Sequence, residues 1–200
     1  TVFTTQLAAR VGLFLGFGLL MGGGVFGSLA LAYRLRPPVR RANLDSELLL
    51  QLRDNLDRRS RILMLLPSTV AGLLGGGVAA GQMQVFLAWV RSTDFGTPDA
   101  VFGLDASFYV FQLPWWRFVL NYVSFMVVVC LIGALLVHFL TGAMNSRAFR
   151  KSGNLKGAGK AAQRQVSLLL GVTLLLYGIA SFLDRYGYLT TQNNLFTGVN

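Results

Sequence analysis

The chain has 200 residues, of which 54% are hydrophobic and only 13% are charged. Since a soluble domain carries about 25% charged residues, this composition excludes an ordinary soluble enzyme or binding domain. The residues 11–33, 62–90, 118–146 and 165–183 contain no Lys, Arg, Asp or Glu. Because about 20 apolar residues cross a hydrocarbon core, the sequence predicts an all-α polytopic transmembrane bundle with four spanning helices and short interfacial helices.

The net charge of +10 is unevenly distributed along the chain. Segment 34–61 carries eight arginines and segment 147–164 carries six Lys or Arg residues, which leaves four arginines elsewhere. Because cytoplasmic loops are rich in Lys and Arg, we predict that 34–60 and 142–163 face the cytoplasm. The N-terminus, 91–114 and 184–200 then lie outside, so both ends are extracytoplasmic. We attribute the charge to topology and to contact with the lipid bilayer, and expect no nucleic-acid partner.

The first spanning helix is predicted over about 6–33 and the second over about 61–90. Both are rich in glycines at four-residue spacing, which lets neighbouring helices approach closely. The predicted helix-packing residues are Gly12, Gly16, Gly23, Gly27, Gly72, Gly76, Gly77 and Gly81. An alternative is that 22–24 and 75–77 unwind locally to line a substrate path, as in transporters with broken helices.

Two features lie between these helices. Pro37 and Pro38 end the first helix, and residues 45–59 then predict a short amphipathic helix on the inner membrane surface. Pro67, near the start of the second span, predicts either a kink or the first turn after a break.

The outer loop, 91–117, is the most distinctive polar segment. It contains three aspartates, and eight aromatic residues lie between positions 95 and 118. We predict an ordered interfacial segment, with a re-entrant or surface helix around 106–112. The spacing of the aspartates matches no calcium loop, so no metal is expected. The residues predicted to interact at the outer face are Asp105, Phe108, Tyr109, Trp115, Trp116, Asp184 and Arg185, with Asp184 and Arg185 pairing with Arg117 or Asp105.

The third and fourth spans are predicted over about 115–141 and 164–183. His138, the one histidine, could relay protons or hold a metal or pigment, but its place near the cytoplasmic end favours an interfacial position. Cys130, the one cysteine, is expected to be a small buried hydrophobe. The chain has no phosphate-binding loop, HExxH motif or paired cysteines, so we expect neither enzymatic activity nor a cofactor.

Several motifs together resemble a family of bacterial multi-pass membrane proteins, uncharacterised protein family 0182. They are LAYRLRPP at 31–38, FGLDASFYVFQLPWWRFVL at 102–120, VHFLTG at 137–142, FLDRYGYL at 182–189 and NNLFTGVN at 193–200. The resemblance implies a bacterial plasma-membrane protein with about seven spans and a large extracytoplasmic domain. Residues 1–200 would then form a single transmembrane domain that is an internal portion of a longer chain. The family brings no catalytic residues and no cofactor.

The sequence favours a structural or interaction role. The domain would anchor an extracytoplasmic domain, or serve as an accessory subunit that binds other membrane-protein subunits. The distinctive residues lie in the outer loop and at glycines, and the apolar spans show no polar site. The alternative is a transporter or lipid-handling protein of the cell envelope. A third hypothesis, an intramembrane enzyme, requires a convergent polar cluster around His138.

The predicted orientation can be tested by a cysteine-accessibility scan. Single cysteines placed in 34–60 and 142–163 should resist impermeant thiol reagents in intact cells and react after lysis, because these segments are predicted to be cytoplasmic. Labelling of either segment in intact cells would contradict the orientation.

Overall fold

The structure is a computed structural model that describes residues 2–35, 59–99, 102–141 and 159–187. Within these ranges the chain forms α1 (Val2–Arg34), α2 (Ser60–Gly81), α3 (Met83–Val90), α4 (Leu113–Leu140) and α5 (Lys160–Gly187). A π-helical turn, Phe108–Gln112, leads directly into α4. No β-strand occurs in these ranges. The amphipathic helix predicted at 45–59 lies outside the described residues except for its last position.

Four helices are long and apolar enough to cross a membrane: Phe3–Arg34, Ser60–Gly81, Phe108–Leu140 and Lys160–Gly187. The predicted all-α bundle with four spans is therefore confirmed. Its apolar side chains face outward as well as inward. Leu19 is 75% exposed and Leu74 is 67% exposed. A surface of this kind is stable in lipid, which does not penalise exposed hydrocarbon as water does.

Two helix ends differ from the bounds predicted for the spans. The second span does not continue as one helix to residue 90, because the Gln82 N–H donates to the Ala79 carbonyl at 3.0 Å and α2 ends there. Gly81 favours this break, since glycine is a poor helix former. The third span begins earlier than residue 115, because the helix around 106–112 is continuous with α4. Pro67 lies inside α2, whose helix continues through it.

The helices α1 and α2 pack antiparallel at a glycine contact. A Cβ on Gly18 would lie 3.0 Å from the Gly72 carbonyl oxygen, and one on Gly76 would lie 2.6 Å from the Phe14 carbonyl oxygen. A Cβ on Gly22 would likewise lie 3.0 Å from the Ser68 oxygen. The 2.6 Å distance excludes a side chain at Gly76, and the 3.0 Å distances would force the neighbouring backbone to shift, so the absence of side chains is what allows the two backbones to touch.

The glycines at this contact are only partly those predicted. Gly72 and Gly76 lie in it, whereas Gly18 and Gly22 were missed. A Cβ on each of the other six predicted glycines would meet no neighbouring atom within 4 Å among the described residues: Gly12, Gly16, Gly23, Gly27, Gly77 and Gly81. The reason is that each residue of a helix is rotated by about 100° from the one before it. Glycine pairs with the same four-residue spacing therefore lie on different faces of a helix, and the spacing does not tell which face meets the neighbour.

The proposed unwinding at 22–24 and 75–77 is wrong. Both segments are regular α-helix, within α1 and α2 respectively.

The helix α4 joins this pair through Tyr122. Its hydroxyl donates a hydrogen bond of 2.8 Å to the Phe17 carbonyl oxygen on α1. Gly75 on α2 leaves room for that hydroxyl, since a Cβ there would collide with it. Met21 packs against Tyr122 in the same buried cluster. Three helices therefore meet at one side chain, and Tyr122 is only 5% exposed.

The helix α5 packs on α4 and is the most peripheral span. Its buried residues lie near its two ends: Ala162, Gln165 and Val166 at one end and Gly187 at the other. Phe182 and Leu174, between these ends, are more than half exposed. The middle of α5 therefore offers its apolar surface to lipid or to further membrane segments.

The glycine contact gives a matched pair of substitutions. Gly76→Ala should lower the free energy of unfolding in detergent by about 1–3 kcal/mol, because overpacking a tight contact costs this much. Gly77→Ala should have little effect or stabilise slightly, since its Cβ meets open space. Thermal melting of both variants checks this, and equal melting temperatures would contradict the contact.

Candidate functional site

We call the end of the bundle that carries Arg34 and Lys160 the inner end, and the other end the outer end. The loop between α3 and α4 folds as a hairpin at the outer end. The Asp99 N–H donates to the Leu104 carbonyl at 2.7 Å, and the Ala106 N–H donates to the Thr97 carbonyl at 3.0 Å. Gly103 adopts a φ of +67°, a conformation that favours glycine. The loop is thus an ordered hairpin in its described part.

Asp105 holds the base of this hairpin. One carboxylate oxygen accepts the Ser107 N–H at 2.8 Å and the Phe95 N–H at 3.0 Å. Hydrogen bonds from Ser107, by its hydroxyl and its N–H, and from the Phe95 N–H lower the pKa of Asp105 from 3.8 to about 2. The Ser107 hydroxyl also lies 3.3 Å from the Asp94 carboxylate, so its single proton is shared between Asp105 and Asp94. Asp105 therefore favours the ionised form because its oxygen receives backbone donors.

Asp99 organises the tip of the hairpin in the same way. Its carboxylate accepts the Phe102 N–H at 2.8 Å and the Tyr109 hydroxyl at 3.3 Å. The aspartates of the loop are thus engaged by the loop's own donors. Among the described residues, no group of three His, Cys, Asp or Glu is placed to hold a metal ion.

The outer end of α5 packs against the hairpin. The Tyr186 ring lies 4.9 Å from that of Phe102 and 5.6 Å from that of Phe108, between centroids. The Arg185 guanidinium stands 3.6 Å from the Phe182 ring centroid and 5.6 Å from that of Phe102. Cation–π contacts of this kind contribute about 0.5–1 kcal/mol where exposed. We call the described hairpin residues 94–99 and 102–109, together with 182–187 and with Trp116, which lies beside Phe108 and Tyr186, the outer platform.

An ion pair adds a polar link to the platform. Arg117 on α4 lies 3.3 Å from the Asp184 carboxylate on α5. Both side chains are partly exposed, so the pair contributes only about 0–1 kcal/mol. Of the pairings expected from the sequence, Asp184 therefore makes the one with Arg117. Arg185 lies instead against aromatic rings.

The two adjacent tryptophans face different surroundings. Trp115 is 5% exposed and stacks on Trp89 with 5.5 Å between ring centroids. Its other neighbours include Phe17 and Phe86, so it belongs to the bundle core. Trp116 is 48% exposed. Of the residues predicted to interact at the outer face, Trp115 is thus the one that the structure buries inside the bundle.

A cleft of about 1120 Å³ opens between α2 and α4, below the platform. Its walls are mostly apolar, and its outer end carries four polar side chains: Gln82, Tyr109, Arg117 and Asn121. Gln82 lies at the break between α2 and α3. Asn121 is exposed and lies one turn from Arg117 on the same face of α4. The cleft is therefore amphipathic, with its polar groups gathered at one end.

His138 belongs to a buried polar chain at the inner end. Its Nε2 lies 2.9 Å from the Gln165 side-chain oxygen, and the Gln165 amide donates to the Ser28 carbonyl at 3.0 Å. The Ser28 hydroxyl donates to the Cys130 carbonyl at 3.0 Å. Since the Gln165 oxygen can only accept, His138 must donate through Nε2. Side chains from α1, α4 and α5 are thereby joined.

The access to headgroups and water expected for His138 is not found, although the residue does lie near the inner end. The side chain is 0% exposed, because Gln165 on α5 covers it. Gln165 was missed, although a lone amide at the edge of an apolar run is a signal for interhelical hydrogen bonding. His138 Nδ1 has no hydrogen-bond partner within the described ranges. The arrangement ties helices together, and no carboxylate of the described residues bonds to the imidazole. Cys130 is buried in the core, as expected.

Comparison with known proteins finds relatives over the whole chain. The family model of the uncharacterised protein family UPF0182 matches residues 1–200. A UPF0182 protein of Streptomyces coelicolor is 39% identical over 187 residues, covering 94% of this chain and 18% of its own length. One from Frankia casuarinae is 36% identical, and the alignment covers 100% of this chain and 19% of the relative's length. One from Mycobacterium tuberculosis is 36% identical, and the alignment covers 99% of this chain and 20% of the relative's length.

The chain thus spans about one fifth of the length of the curated relatives that it matches. No solved structure matches it.

The Asp105 hydrogen bonds predict a pH dependence of the hairpin. Because the folded pKa of about 2 lies below the ordinary 3.8, these bonds stabilise the hairpin fully above the ordinary value and are lost as the pH falls through about 2. The amide resonances of Phe95 and Ser107 should titrate with a midpoint near 2.

The matched controls for this titration are two asparagine variants. Asp105→Asn should abolish the transition, and Asp94→Asn should leave its midpoint in place. A wild-type midpoint near the ordinary aspartate value of about 4 would contradict the assignment.

Proposed function

The chain belongs to the uncharacterised protein family UPF0182, and we propose that it is a membrane-anchoring domain whose outer platform supports an extracytoplasmic domain of a longer bacterial envelope protein. The relatives are about five times as long as this chain, which leaves ample length for such a domain. The bundle itself holds the platform at the membrane surface. The orientation that puts the platform outside is the one predicted from the basic segments.

The observation that carries the proposal is the order of the outer platform. Asp99 and Asp105 bind the hairpin's own N–H groups, and Tyr186 packs the hairpin onto α5. A surface that is already ordered loses little conformational entropy when another domain docks on it. Its exposed aromatic residues are of the types enriched in protein interfaces, and Phe95 is 50% exposed.

The bundle below has the properties of an anchor. Its buried polar groups, Tyr122 and the His138–Gln165 pair, connect helices to each other. The spans turn apolar side chains outward, where lipid or further spans of the longer protein would cover them. An accessory subunit of a membrane complex would use the same platform, but its partner would be a separate polypeptide.

Photo-crosslinking in the full-length protein tests this proposal. A photoreactive amino acid at Phe95 or Trp116 should capture the extracytoplasmic part of the same chain, since both residues are about half exposed at the outer end. The matched control is Leu19, which is 75% exposed in the middle of α1 and should capture only lipid or other spans. The captured peptides are identified by mass spectrometry.

Three outcomes separate the alternatives. Capture within one long polypeptide supports the anchor. Capture of a different polypeptide at Phe95 or Trp116 makes the chain an accessory subunit. Capture of lipid alone at both outer positions overturns a docking role for the platform.

The second candidate function is lipid handling, and the cleft between α2 and α4 favours it. Its polar end lies near the outer end of the bundle and its apolar walls continue along α2 and α4, a distribution that suits a lipid headgroup and its acyl chain. This function predicts that Leu74→Trp, which fills the cleft from α2, reduces lipid transfer between vesicles without lowering the melting temperature. Unchanged transfer would remove this candidate.

A further inference from the structure

A second groove, the inner groove, lies between α1 and α5 at the inner end of the bundle, with α4 as its floor. Its volume is about 680 Å³. Its walls are largely apolar, and Leu31 on α1 and Leu168 on α5 are 47% and 65% exposed. Met126 and Val127 form part of the floor. The groove is separate from the cleft between α2 and α4, which lies on another side of α4.

Two cations line the mouth of the inner groove. Lys160 and Arg164 lie four residues apart on α5, which places them on one face of the helix. Both side chains are exposed. They also occupy the first turns of α5, where the helix dipole is positive and adds to their charge. The described part of the mouth therefore carries two positive charges.

The described carboxylates cannot neutralise this charge. Asp94, Asp99 and Asp105 lie in the outer hairpin, and Asp184 lies at the outer end of α5, where it pairs with Arg117. Within the described ranges, the inner end thus presents cations without a carboxylate. The chain's other four carboxylates, Asp45, Glu47, Asp54 and Asp57, lie outside the described residues, so a counter-charge comes either from them or from a separate anion.

The apolar walls decide what kind of anion fits. A soluble phosphate or an acidic peptide would pair with the cations but would leave the groove below them exposed. The groove's polar floor groups are already engaged, since the Gln165 amide donates to the Ser28 carbonyl and the Ser28 hydroxyl donates to the Cys130 carbonyl. What remains for a ligand is a pair of cations above a hydrocarbon surface.

We propose that the inner groove binds an anionic phospholipid of the adjacent leaflet, with its phosphate between Lys160 and Arg164 and an acyl chain against Leu31 and Leu168. Basic pockets between spanning helices on the cytoplasmic side are suited to anionic headgroups, because charge and hydrocarbon are both satisfied there. The lipid also fills the space between α1 and α5, which are joined there by the Gln165–Ser28 hydrogen bond. The site is independent of the outer platform and of the function proposed for it.

The test is lipid-dependent stability of the full-length protein in detergent. Added phosphatidylglycerol should raise the melting temperature, and phosphatidylcholine, with the same acyl chains and no net charge, should raise it much less. In the double variant Lys160→Gln/Arg164→Gln the apparent affinity for phosphatidylglycerol should fall about tenfold or more, since each lost cation weakens binding to an anionic lipid.

The matched control is Arg10→Gln/Arg91→Gln, which removes two exposed cations from the outer end. It should leave the affinity for phosphatidylglycerol unchanged. A second variant, Leu168→Trp, keeps every charge and fills the groove, so it should also weaken phosphatidylglycerol binding. The melting temperature of each variant without lipid shows whether it folds.

Two results would overturn the proposal. The first is an equal loss of affinity in the inner-end and outer-end double variants, which would mean that net charge alone attracts the lipid. The second is equal stabilisation by inorganic phosphate, with no effect of Leu168→Trp, which would make the site a binding site for soluble anions.

Discussion

Where α1 crosses α2, Gly18, Gly22, Gly72 and Gly76 let two backbones touch, and the rest of the bundle is arranged around this crossing. Lipid offers no hydrophobic force that drives helices together, so close van der Waals contact and interhelical hydrogen bonds must do so. The glycine crossing supplies the close van der Waals contact. It also sets the distance at which Tyr122 reaches the Phe17 carbonyl beside Gly75, and so it fixes the position of α4.

The peripheral helix α5 depends on polar contacts at its two ends. At the inner end, Gln165 joins His138 on α4 and Ser28 on α1. At the outer end, Asp184 pairs with Arg117 and Tyr186 packs on the hairpin. Between these points its apolar side chains are largely exposed. This distribution leaves a groove between α1 and α5. The outer platform is formed by the hairpin together with the outer end of α5.

The two ends of the bundle consequently have different chemistry. The outer end gathers the described carboxylates, exposed aromatic rings and an ordered hairpin, which suits contact with folded protein. The inner end presents Lys160 and Arg164 above apolar walls, which suits an anionic membrane surface. This difference suits the anchoring role and the lipid site that we propose, and the curated relatives are about five times as long as this chain.

The sequence by itself determined the class of the protein, the number of spans and the family. Charge-free apolar runs allow little besides membrane helices, since lipid excludes charge and requires every backbone group to be bonded. The motif at 102–120 carried the family resemblance. The pairing of Asp184 with Arg117 could be predicted from the sequence, because both residues flank spans at the same end.

Only the tertiary structure decided which faces meet. Glycines at four-residue spacing occur on several faces of α1, and helix rotation selected Gly18 and Gly22 over the predicted set. Whether His138 faces headgroups or protein depends on where α5 packs, and Gln165 is 27 residues away in sequence. Trp115 and Trp116 are neighbours in sequence, yet the helical turn of about 100° per residue sends one into the core and the other to the surface.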